Sequence, residues 1–212
     1  MLFRSGLIQP ADFRAILGVR RTEFGWALAA LVGVVLLGTL QGILVAIVVS
    51  LLALAHQGFD PPVYVLGRKL GTNVFRPRSA EHPEDETFAG LLLLRLEGRV
   101  YFANAQHVGD KIRLRIDEAS PKVVALHMRG VFDLEYTALQ MLIEAEQELR
   151  ESGVLVWLVG LNPGVLAMVE HSPLGHTLGR ERMFFNLEQA VARYQASVGG
   201  HDASSSTLPG AH

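Results

Sequence analysis

Leu91–Ala105 reads LLLLRLEGRVYFANA. Leu91–Leu96 is an apolar run of strand length, interrupted only by Arg95. A run apolar at both parities suits a strand covered on both faces. Glu97-Gly98-Arg99 has the composition of a tight turn, and Val100-Tyr101-Phe102 follows it. The two apolar pieces are therefore expected to pair as an antiparallel hairpin.

Downstream the pattern switches between two periods. Val108, Ile112, Ile116 and Ala119 recur at helical spacing within Gln106–Ala119, with Lys111, Arg113 and Arg115 off that stripe. Val123–Met128 is a buried strand by composition. Tyr136–Arg150 is a helix turning Leu139, Leu142, Ile143 and Leu149 inward, with Gly153 just beyond its end. Val154–Val159 is a third buried strand. Asn162-Pro163 reads as a cap and a first-turn proline, opening a helix to about His171. Asn186 with Gln189 signals a capping box for a last helix, Leu187–Gln195. Strand and helix alternate, so residues 88–195 are expected to form an α/β domain with a mainly parallel sheet and flanking helices.

Upstream, residues 56–87 read as a linker. Asp60-Pro61-Pro62 stops a helix, Val63–Leu66 suits a short extended piece, and basic residues precede the acidic Glu81, Glu84, Asp85 and Glu86. Arg68, Lys69, Arg76 and Arg78 form either a basic patch for anionic lipid or a solvated connector. Before the linker, Phe24–Phe59 contains no Asp, Glu, Lys or Arg. As one straight helix it would reach roughly 54 Å, against a hydrocarbon core of about 30 Å. Gly38, Thr39, Gln41 and Gly42 make its one polar, glycine-rich point. Residues 23–55 are therefore expected to form a short transmembrane helical hairpin, Glu23–Leu37 and Leu40–Ala55, turning at those residues. Arginines flank it on both sides, so both ends are expected in the cytoplasm. The alternative reading of Gly38-x-x-x-Gly42 is a helix-dimerisation face. Residues 1–22 suit an amphipathic helix at the membrane surface, with Phe13, Ile16 and Leu17 on one face. Residues 196–212 are expected to be a disordered tail.

Net charge is −2 and the chain has no cysteine. Nothing favours nucleic acid, and cysteine nucleophiles, disulfides and zinc–cysteine sites are excluded. No phosphate loop, nucleophile elbow or metal-ligand spacing is present, so neither an enzyme nor a cofactor is expected. His127 lies in a buried-strand pattern and is expected to be a satisfied core residue.

Leu36–Ala46 resembles the last membrane hairpin of the SulP (solute carrier 26) anion transporters. Leu94–Ala105, Met128–Leu142, Leu158–Leu161 and Arg182–Phe185 resemble the STAS domain that follows it in that family. The resemblance implies the C-terminal portion of a sulfate or other anion transporter in the plasma (inner) membrane. The STAS domain would be its cytoplasmic regulatory and dimerisation module, and the chain would not be transport-competent by itself. The implied partners are the remaining transporter membrane helices or a homologous transporter chain, a second copy in a homodimer, and the lipid membrane. The alternative is a membrane-tethered STAS interaction module with no transport role.

In STAS domains related to anti-sigma-factor antagonists, the loop before the second helix reads Asp-Ser-x-Gly and the serine is phosphorylated. Here Glu135, Tyr136, Thr137 and Ala138 stand at those positions, which departs from that switch. Asp133, Glu135, Tyr136 and Thr137 are instead expected to form a regulatory or interaction loop. Tyr136, large and amphipathic, would be its contact residue.

Overall fold

The computed structural model describes residue 25 and residues 39–205. The described residues fall into two compact units that part between Phe59 and Asp60. In the first, helix α1 spans Thr39–Phe59. Gln41 and Gly42 sit inside its first turns rather than in a break, and Gly38 lies outside the described residues, as do most of the first half of the expected hairpin and the expected interfacial helix. Leu40, Ile43, Leu44, Ile47, Val48, Leu51 and Leu52 are all exposed on α1. Among the described residues no helix is long and apolar enough to cross a membrane.

The second unit is an α/β domain around one six-stranded sheet. Its strands are β1 (Val63–Arg68), β2 (Phe75–Pro77), β3 (Leu91–Glu97), β4 (Val123–Gly130), β5 (Leu155–Val159) and β6 (Met183–Phe184). They lie in the order β2-β1-β3-β4-β5-β6. β3 to β6 are mutually parallel, and β1 runs antiparallel to both β2 and β3. The helices are α2 (Ala105–Ala119), α3 (Tyr136–Glu151), α4 (Pro163–Glu170), α5 (Pro173–Leu178) and α6 (Leu187–Ser205).

The apolar run Leu91–Leu96 is explained by burial on two sides. Leu92, Leu94 and Leu96 face the core shared with α2 to α5, while Leu91 and Leu93 face the core beneath α6. Period-2 geometry sends alternate side chains to opposite faces, so a strand covered twice has no polar position to spare. α6 closes its side with Leu187, Ala190, Val191 and Tyr194. Its cap is the sequence-read one: Gln189 N–H donates to Asn186 Oδ1 at 2.9 Å. The Gln189 side chain accepts from Phe185 N–H at 3.2 Å. The Tyr194 hydroxyl donates to the Ala89 carbonyl at 2.7 Å. It lies so close to Gly90, at φ +77°, that a Cβ there would come within 2.5 Å of it.

Four expectations need correction. The hairpin partner of β3 is β1, not Val100–Phe102. Gly98, at φ +98°, instead donates its N–H to Gly130 O at 3.0 Å, and Val100 makes a parallel bridge to Leu134. The chain thus crosses toward β4 rather than folding back. Second, residues 56–87 are more than a linker, because α1 runs to Phe59 and the segment then supplies β1 and β2. Third, α6 continues to Ser205, past the expected end at Gln195, and residues 206–212 lie outside the described set. Fourth, Asn162 does not cap α4 with its side chain. Its amide donates to Val131 O at 2.7 Å and Arg129 O at 3.2 Å, tying two loops together.

Two basic residues of the β1–β2 region are matched by acids. Arg68 pairs with Glu86. Arg76 grips the buried Asp85 with two bonds, at 2.7 and 2.8 Å, and reaches Glu84 at 3.3 Å. The Arg76 hydrogen bond holds the Asp85 carboxyl below its ordinary pKa. Glu84, Asp85 and Glu86 thus fold back on Arg68 and Arg76.

β1 belongs to the domain energetically. Leu66 is buried in the α6-side core, and Val63 and Val65 pack on the other. Fully burying one such side chain contributes about 1.5–3 kcal/mol. A fragment of residues 60–205 is expected to unfold cooperatively, and one of residues 86–195 to melt at least about 5 °C lower or aggregate. Calorimetry on the two fragments checks this; equal midpoints would remove β1 from the folding unit.

Candidate interaction site at the carboxyl edge of the sheet

The parallel strands deliver their following loops to one edge. In open α/β sheets that edge is where sites form. The β3–α2 loop, residues 98–104, is built on Asn104, which is fully buried. Its Oδ1 accepts from Tyr101 N–H and its amide donates to Arg99 O, both at 2.9 Å. One side chain thus serves backbone groups that the turn into α2 would otherwise strand.

The β4–α3 loop runs alongside. Val131 and Leu134 are buried and anchor it, while Phe132 between them is 79% exposed. Glu135 takes the N-cap position of α3 with an extended backbone and makes no side-chain cap bond. Its N–H donates to Val100 O at 3.3 Å, and its carboxylate accepts from Phe102 N–H at 3.4 Å. Arg99 binds Asp133 at 2.9 Å and Glu135 at 3.4 Å. The two acids are thereby committed to holding the loops together, so a catalytic pair is not what the arrangement offers.

Tyr136 opens α3 and is 69% exposed; Thr137 beside it is exposed as well. The four sequence-read residues thus fall in one loop, but they do not complete the surface. Phe102, 70% exposed, stands on the neighbouring loop, and Phe185, 81% exposed, follows β6 at the same edge. Sequence reading missed Arg99, Phe102, Phe132 and Phe185. The available signal for the three phenylalanines was a bulky aromatic shortly after β3, β4 and β6, outside either hydrophobic period.

Beneath this edge lies His127, paired in register with Arg95 on β3 and Val159 on β5. It is half-buried, and its Nδ1 has no hydrogen-bond partner among the described residues. The expectation of a satisfied core histidine therefore needs correction. Gly160, at φ +66°, makes room for the ring, since a Cβ there would approach it to 3.1 Å. Burial first, and then the Arg95 and Arg129 charges, push the His127 pKa down to about 4. No group of His, Asp or Glu that could hold a metal ion occurs among the described residues.

A family model, the STAS domain, matches residues 82–190. The chain belongs to the STAS domain family. Its similar relatives are sulfate transporters. It is 25% identical over 186 residues to high affinity sulfate transporter 2 of Stylosanthes hamata, covering 83% of this chain and 28% of that protein. It is 29% identical over 184 residues to sulfate transporter 3.2 of Arabidopsis thaliana, covering 80% and 28%. The fold is also that of the murine solute carrier 26 family member A9 anion transporter in its inward-facing state, with TM-score 0.78 and 18% identity. That match covers 92% of this chain and 32% of the other. The chain spans less than a third of the length of the curated relatives it matches. The SulP resemblance read from sequence and the STAS fold are both met by these likenesses.

A pH dependence follows from His127. Its folded pKa lies below the ordinary 6.5, so the unfolded chain binds the proton more readily. Its contribution to stability is complete above about pH 6.5 and is lost as pH falls toward 4. Asp60 and Asp85, held below 3.8, contribute above that value and lose their part only at lower pH. His127→Leu is expected to flatten the stability profile between pH 6.5 and 4 and leave the lower limb intact. Denaturant midpoints across pH measure it; an unchanged slope would contradict the assignment.

Proposed function

We propose that this chain is the C-terminal portion of a SulP-type sulfate or anion transporter, its STAS domain acting as a cytoplasmic regulatory and dimerisation module. The reading rests on one observation: the likeness to sulfate transporters runs well beyond the STAS region. The family model ends at residues 82 and 190, whereas the relatives align over 80% or more of the chain. The extra length must take in at least part of the uncharged Phe24–Phe59 stretch, and most side chains exposed along its described helix α1 are apolar, with Gln41 and Ser50 the polar exceptions. That pattern suits lipid or neighbouring membrane helices rather than water. In this reading residues 23–55 form a membrane hairpin turning near Gly38, ahead of α1, both flanks lie in the cytoplasm, and transport needs further membrane helices.

The carboxyl-edge loops are the contact surface in this proposal. Phe132 and Tyr136 project from a loop locked by Arg99, Leu134 and Asn162, so they are presented without an ordering cost. Exposed aromatics on a rigid frame are what interface hot spots are made of. The tyrosine at the position of the phosphorylated serine makes this a standing contact rather than a serine-phosphate switch.

Two experiments test the proposal. Pro10→Cys and Ala89→Cys in this cysteine-free chain are expected to label from the same side of sealed membranes. Labelling from opposite sides would mean one long span. Tyr136→Ala and Phe132→Ala should change stability by no more than about 0.5 kcal/mol, as exposed positions do. Yet they should cut copurification with coexpressed sulfate-transporter membrane helices roughly fivefold or more. If Tyr136→Ala unfolds the protein, the residue is structural. Unchanged stability with unchanged copurification leaves the loop without a contact role.

A further inference from the structure

The inward faces of α2 and α3 do not close on each other. Small residues meet there: Ala105 and Gly109 on α2, Ala138 and Ala145 on α3. Between them and the sheet lies a cavity of about 760 Å³. Well-packed cores hold few voids larger than a water molecule, whereas ligand pockets run from about 300 to 1,000 Å³. Its floor is apolar, with Leu126, Met128 and Val156 from the sheet and Ile112, Met141 and Leu142 from the helices. Gly109 confirms the open space, since a Cβ there would meet no heavy atom within 4 Å.

The charged groups of this cavity are mostly acidic. Asp110, Asp117, Glu144 and Glu148 line it, against the single cation Arg113. Arg113 is already taken by Glu148, at 2.7 Å across the two helices. Asp117 and Glu144 carry no ion pair among the described residues. A further acid, Glu146, also lines the cavity with its side chain 4% exposed. Its nearest cations, Arg150 at 3.5 Å and Arg182 at 3.9 Å, give its Oε1 no hydrogen bond. A buried carboxylate oxygen without a donor is costly, and a ligand N–H would relieve it.

We propose that the α2–α3 cavity binds a small amphiphile with an aliphatic chain and an ammonium head, the chain over the apolar floor and the head among the acidic groups. Oxyanions and carboxylate amphiphiles are excluded by the same charges. This site is separate from the carboxyl-edge loops and does not rest on the transporter reading.

The methionines supply a local readout. Met128 and Met141 line the cavity, while Met168 and Met183 do not. The full chain, labelled with carbon-13 at the methionine methyls and held in lipid nanodiscs, is titrated with octylammonium chloride and, separately, sodium octanoate. Octylammonium is expected to shift the Met128 and Met141 signals saturably and leave Met168 and Met183 in place. Octanoate should shift none of them. Gly109→Leu and Ala145→Leu, each filling the void, should abolish the shifts. Gly109→Leu also improves helix propensity and should fold at least as well as the parent. Glu144→Gln and Asp117→Asn should each weaken binding roughly two- to fivefold, the scale of an exposed ion pair. Met128 and Met141 signals that do not move, or that move equally in folded Gly109→Leu protein, would overturn the cavity as the site. Equal response to octanoate would overturn the ammonium assignment.

Discussion

Burial on both faces of β3, β4 and β5 is the constraint on which the rest of this domain depends. Leu94, Val124, Ala125, Leu158 and Val159 are fully enclosed, and full exposure on these strands comes only at the end of β4, at Arg129. The strand ends must carry function. The polar groups that sheet and helix cannot absorb are gathered in the loops beyond those ends. There Asn104 and Asn162 answer backbone groups of their own and neighbouring loops, and Arg99 ties two loops together through the Asp133 and Glu135 carboxylates. A scaffold this tightly closed fixes its exits with side-chain hydrogen bonds, and the aromatic residues between those bonds are left facing out.

Much of this was legible from the chain. Leu91–Leu96, Val123–Met128 and Val154–Val159 read as buried strands because a doubly covered strand must be apolar at both parities. Helices α2 and α3 were placed within a residue, and the α6 cap was readable from Asn186 and Gln189 because a capping box is a local code. What failed was non-local. Nothing near Glu97-Gly98-Arg99 shows that Gly98 will donate to Gly130 rather than close a hairpin. Val63–Leu66 reads as an extended piece, but its pairing with β3 is not readable, since that register is set by residues distant in sequence. The site was half visible for the same reason. Asp133 to Thr137 sit together in the chain, whereas Arg99, Phe102 and Phe185 reach that edge only through the topology of the sheet.

His127 and Glu146 show a second kind of cost in the same fold. Each carries a buried polar atom without a hydrogen-bond partner, one on each face of the sheet. His127 stays neutral beneath the loop edge, and Glu146 is ion-paired to Arg150 and Arg182 without a hydrogen bond to its Oε1. Neither feature improves packing. Both lie next to surfaces assigned roles above, consistent with strain being kept where a site needs it.

The ends of the sheet carry a consequence of their own. β2 is three residues long and closes on Pro77, which has no N–H to offer, while at the opposite margin β6 has two residues. A margin this short gives an incoming strand almost no ladder to extend. Copies of the domain brought close together are therefore protected from running their sheets into one another. Assembly is left to side chains, which can be chosen for their partner, rather than to backbone, which pairs with any strand.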